Sequence, residues 1–85
     1  MPNKFIVYII YSASLDRFYI GYTGDEINSR LNKHNANHKG FTGTRADWVL
    51  KYTEMYESKS EAMKRERLIK SWKSRQKILQ LISTE

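Results

Sequence analysis

Apolar positions near the start of this chain fall into two short runs whose make-up predicts strands. The first, Phe5-Ile6-Val7-Tyr8-Ile9-Ile10-Tyr11, is built from β-branched and aromatic residues. The second is Phe18-Tyr19-Ile20-Gly21-Tyr22, and residues 12–17 form a polar connection between them. Two strands joined this way predict a β-hairpin that brings the phenols of Tyr8 and Tyr19 to one place. Thr23-Gly24-Asp25 breaks the second strand and offers a helix cap. From Glu26 to about Asn35 the period becomes helical, with Ile27, Arg30, Leu31 and His34 at i, i+3, i+4 and i+7. The two apolar members should turn that face to the core, which puts Arg30 and His34 where the helix meets the sheet. Residues 36–47 are polar, contain Gly40 and Gly43, and read as a loop.

Aromatic and β-branched residues return from Trp48 to Tyr56 and predict a third strand. Ser58 and Glu61 have the spacing of a capping box for a helix that runs to about Lys73. Ser74 is placed to cap a last helix carrying Ile78, Leu79, Leu81 and Ile82. The order is strand, strand, helix, strand, helix, helix. It predicts an α+β fold, a small three-stranded antiparallel sheet flanked by helices. At 85 residues, a single domain over 1–85 is expected.

Composition narrows the chemistry. With no cysteine, a disulfide scaffold, a thiolate zinc site and a cysteine nucleophile are all excluded. The apolar run from Phe5 to Tyr11 is too short to span a bilayer and lacks the flanks of a secretory signal. A soluble, cytoplasmic protein with no membrane partner is expected. The formal net charge is +6, and it is concentrated. Between Lys59 and Lys77 eight basic residues stand against Glu61 and Glu66 alone. Clustered positive charge is the footprint of a nucleic-acid binder, and a solvated helix face is the alternative.

Four features could carry chemistry. Glu66 lies four residues after Ala62 and three before Ile69, on one face of its helix with both. A carboxylate on a core-facing stripe is costly unless it is paired or holds a cation. A single carboxylate with water and substrate phosphate is a usual way to hold Mg²⁺; a salt bridge to Arg30, Lys70 or Lys73 is the structural alternative. Arg30 offers a planar fork that suits a phosphodiester, and His34, one turn on, can relay a proton. His34 and His38 have the i, i+4 spacing of a metal pair, but a zinc site needs a third ligand and a second shell, and Gly40 and the polar run should end the helix near His38. Tyr8 and Tyr19 can act as acid, base or orienting groups, or simply pack in strands.

These residues resemble the GIY-YIG nuclease family, and in particular its small single-domain branch. The first motif is Ile6-Val7-Tyr8, with Ile6 where the family name has glycine, and the second is Tyr19-Ile20-Gly21. Arg30 and His34 match the arginine of the family's first helix and the histidine four residues on, Glu66 matches the glutamate of the later helix, and Thr42, Arg45 and Trp48 resemble the branch's central stretch. The resemblance implies Mg²⁺- or Mn²⁺-dependent cleavage of DNA, in repair, recombination or processing. Glu66 would hold the metal and Arg30 the scissile phosphate. Tyr8 would act as general base, with His34 assisting or in its place, and Tyr19 would orient water or phosphate. A protein partner could supply substrate preference. A catalytically weak nucleic-acid-binding module and a protein-interaction domain are the competing expectations.

Overall fold

The computed structural model describes residues 4–36 and 47–84. Three strands, β1 (Phe5–Ser12), β2 (Arg17–Thr23) and β3 (Trp48–Tyr56), form one antiparallel sheet in the order β2-β1-β3. The helices are α1 (Ile27–Ala36), α2 (Lys59–Trp72) and α3 (Arg75–Ser83). The α+β architecture and the β-β-α-β-α-α order agree with the sequence pattern.

The unbroken apolar run of β1 has a simple cause: it is the central strand, and both its faces are covered. On one face Val7 and Ile9 join Ile20 and Tyr52 against Ala62 and Ile69 of α2 and Ile78 of α3. On the other, Ile6, Tyr8 and Ile10 pack with Ile27 and Leu31 of α1 and with Trp48. Strand alternation assigns these residues to the two faces, and all of Ile6 to Ile10 are buried. Where β1 meets β3 the register shifts, because Ile9 faces Tyr52 while Ile10 faces Leu50. Lys51 is the extra residue of a bulge.

Helix starts follow local chemistry. Ser58 Oγ accepts from the Glu61 backbone N–H at 3.1 Å and Ser74 Oγ from that of Lys77 at 3.2 Å, as the sequence predicts. At α1 the boundary moves. Thr23 Oγ1 accepts from the Asp25 N–H at 3.0 Å and closes a turn, and the Glu26 carbonyl accepts the first helical bond, from Arg30 N at 3.2 Å. The capping position is therefore Glu26, beyond the Thr23-Gly24-Asp25 segment expected to supply it. At the other end Asn35 clamps α1 to β3, its Nδ2 donating to the Trp48 carbonyl at 3.1 Å and its Oδ1 accepting from Trp48 N at 2.9 Å.

Candidate active site

The hairpin register sets the site. Tyr8 on β1 lies opposite Gly21 on β2, and Ile10 lies opposite Tyr19. Tyr8, Tyr19 and Gly21 therefore share the sheet face that α1 covers. The two phenol rings stack with centroids 6.4 Å apart and planes at 24°. Tyr8 is buried, whereas Tyr19, on the edge strand, is 40% exposed. Trp48 meets the Tyr19 ring edge-on at 6.4 Å, so the Asn35 clamp on Trp48 also braces the mouth of the site. Gly21 leaves the room that the Tyr8 phenol occupies, since a Cβ there would lie 2.7 Å from Tyr8 Oη.

Arg30 enters from α1. Its Nε donates to Tyr8 Oη at 3.4 Å, so the expected seat between helix and sheet is where the guanidinium is found. His34 lies one turn further along α1. The proposed pairing of His34 with His38 falls outside the described residues, as do Thr42 and Arg45.

Glu66 and Lys70 come from α2, which packs on the opposite face. Lys70 Nζ bonds Glu66 Oε2 at 2.9 Å and also stands 5.9 Å from the centroid of the Tyr19 ring. The groups from the two faces thus meet around Tyr19 at the β2 edge, one of the two edges of the sheet. Glu66 is mostly buried, with 16% of its side chain exposed. Of the salt-bridge partners the sequence allows for Glu66, Lys70 is the one used. The i, i+4 spacing made that pair legible; the contact of Lys70 with Tyr19 depends on tertiary packing and was not.

The electrostatics of the cluster run in two directions. Burial pushes the Tyr8 phenol above its ordinary value of 10.0. The hydrogen bond and charge of Arg30 pull it down without cancelling that effect, and Tyr19 and Glu66 add to the rise. In return, the bond to Tyr8 raises Arg30, and the bond to Glu66 raises Lys70. At neutral pH the Tyr8 phenol therefore stays protonated beside the cations of Arg30 and Lys70. Such a set can bind a phosphodiester anion, donate hydrogen bonds to it and place a charge near its bridging oxygen.

Among the described residues, no group of three or more His, Cys, Asp or Glu side chains could hold a metal ion. Glu66 alone still fits a hard divalent ion, because Mg²⁺ commonly takes one or two carboxylates and completes its shell with water and substrate phosphate. No described helix is long and apolar enough to cross a membrane.

Known proteins resemble this chain in sequence and in fold. The model of the GIY-YIG catalytic domain matches residues 4–78. UPF0213 proteins from Staphylococcus aureus strains Mu3 and COL are each 47% identical over 81 residues, covering 94% of this chain and 95% of theirs. The solution NMR structure of the UPF0213 protein BH0048 from Bacillus halodurans superposes with a TM-score of 0.61 at 36% identity, over 96% of this chain and 85% of that one. With the domain model spanning both tyrosine strands, the arginine helix and the glutamate helix, this chain belongs to the GIY-YIG family and has its nuclease-type fold.

Proposed function

We propose that the protein is a Mg²⁺- or Mn²⁺-dependent endonuclease that hydrolyses DNA phosphodiester bonds. The convergence of Tyr8, Arg30 and Glu66 on the partly exposed Tyr19 at the β2 edge carries this reading, because a phosphodiester can reach that edge and the groups around it match the needs of the reaction. Arg30 binds the scissile phosphate and offsets charge that develops on it. Glu66 holds the metal, which supplies positive charge that stabilises the phosphoryl oxygens and lowers the pKa of nearby water. Tyr19, half in solvent at the mouth, orients water or phosphate.

The proton step falls to Tyr8 with His34. Because burial outweighs Arg30, Tyr8 keeps its proton in the free protein. To act as base it needs more positive charge at Oη than Arg30 supplies alone. His34, one turn from Arg30, is the second group for that proton. The protein acts in DNA repair, recombination or processing, in the cytoplasm, and a protein partner supplies substrate preference. The Glu66–Lys70 pair favours one other reading, a catalytically weak nucleic-acid-binding module, since it neutralises the carboxylate on which metal binding depends.

Plasmid nicking with Mg²⁺ or Mn²⁺ separates the two. Glu66→Ala and Arg30→Ala are expected to lower the rate by about 10²-fold or more, and Tyr8→Phe by about 10²-fold. All three should keep DNA binding within a few-fold. Cleavage retained in Glu66→Ala would sink the metal assignment, and binding with no cleavage by the wild type would favour the module.

A further inference from the structure

Lys70 has two partners in the site, and they belong to different parts of it. Its ammonium pairs with Glu66 at 2.9 Å and stands over the Tyr19 face at 5.9 Å. Half of the Lys70 side chain is exposed, whereas Glu66 is mostly buried. The flexible, solvent-facing member of the pair is thus the cation. A divalent ion and the ammonium both need the same carboxylate oxygens, and like charges oppose their sharing one small site. When Lys70 leaves Glu66 it still has the Tyr19 π face beside it, a seat that a cation keeps without a counter-ion.

Resting on the reading of Glu66 as metal ligand, we infer that Lys70 is a resident cation that occupies Glu66 until a DNA phosphate draws it away, so that DNA binding opens the carboxylate to the metal. The reasoning is one of linkage. Without DNA, the ammonium competes with the metal and weakens its binding. A phosphate arriving at Arg30 and Tyr19 offers the ammonium a second anion close to its existing seat. Lys70 then releases Glu66, and the affinity for metal rises. By reciprocity, bound metal raises the affinity for DNA by the same factor. Loading of a free chain with metal is thereby held low, and cleavage chemistry assembles on the substrate. Lys70 is a positioning residue in this scheme, acting through Glu66.

Mn²⁺ binding, followed by the EPR signal of the free ion, tests the device without reference to activity. Tyr8→Phe serves as background so that DNA stays intact, and ion bound by DNA alone is subtracted. Without DNA, Lys70→Met is expected to bind Mn²⁺ about fivefold tighter than its parent, the factor that one half-exposed ion pair is worth. A short duplex should tighten Mn²⁺ binding in the parent by more than in Lys70→Met, and the two shortfalls should agree. Glu66→Gln should abolish the site in both. Equal Mn²⁺ affinity in the parent and Lys70→Met, still lost in Glu66→Gln, overturns the role of Lys70 and leaves Glu66 as the ligand. The same gain from Lys70→Met in a Glu66→Gln chain also overturns it, as a general effect of charge. Mn²⁺ binding that ignores Glu66 throughout overturns this inference and the metal site together.

Discussion

At Gly21 the second motif meets the first. The residue pairs with Tyr8 across the hairpin, and an added Cβ would stand 2.7 Å from Tyr8 Oη, 2.9 Å from Cζ and 3.0 Å from Tyr19 Cε1. A phenol ring has no flexible end to give way, and this one is buried. The glycine is needed for close approach and not for an unusual backbone. Gly21→Ala is therefore expected to cost about 1–3 kcal/mol of stability through overpacking and to push Tyr8 out of line with Arg30. A thermal melt paired with the nicking assay checks both, and a variant with unchanged melting and full activity would refute the steric account. The sequence offered Gly21 only as part of a tripeptide. Its reason depends on a register that no local pattern encodes. Arg30 and Glu66 were more legible, because each sits on a helix face whose apolar members, Ile27 and Leu31 or Ala62 and Ile69, fix its direction.

Elements were legible where their signals span a few residues. Ser58 and Ser74 mark helix starts because a cap reaches only three positions along the chain. The bulge at Ile9 and Ile10, which depends on pairing with a strand some forty residues on, left no such trace. The tie between β3 and α2 was hidden for the same reason. Arg65 donates through Nε and an Nη atom to the two Glu54 oxygens at 2.9 and 3.0 Å, while Tyr52 and Tyr56 donate to them at 2.5 and 2.7 Å. Burial alone would raise the Glu54 carboxyl, but these donors together hold it below its ordinary value of 4.5. A carboxyl lowered by folding stabilises the fold above its unfolded value and loses that contribution as pH falls through the lower, folded one. The margin of wild type over Glu54→Gln in chemical denaturation should thus be full at pH 7 and shrink below about pH 4.5. Tyr52 gives the opposite limb. Burial first, and then the bond to Glu54, push its phenol up to about 12. Its contribution is present below pH 10 and is lost as pH rises towards 12. A margin that grew on acidification would contradict the network.

Across the whole molecule, the basic stretch that pointed to nucleic acid is less free than its count suggests. Eight lysines and arginines lie between Lys59 and Lys77. Three of them are committed: Arg65 to Glu54, Lys70 to Glu66 and Arg75 to Asp16. That leaves Lys59, Lys64, Arg67, Lys73 and Lys77, all exposed and without an ion pair among the described residues. The distinction is invisible in a charge total, because two of the three partners, Asp16 and Glu54, lie outside the stretch. It has a measurable consequence. Each phosphate neutralised on duplex DNA contributes about 0.9 to the slope of log affinity against log salt concentration. If the five free cations and Arg30 are the ones that meet phosphates, the slope should lie near about −5, and it would approach −8 only if every pair dissolved on binding. The inferred release of Lys70 adds one phosphate contact, so Lys70→Met should flatten the slope by about 0.9. Arg65→Met should leave the slope unchanged while lowering stability, since its charge is spent inside the fold. Fluorescence anisotropy on one duplex at several salt concentrations reads all three. A slope that fell equally for Arg65→Met and Lys70→Met would mean that the cations act as a diffuse field, and that the division between structural and substrate-facing charge is wrong.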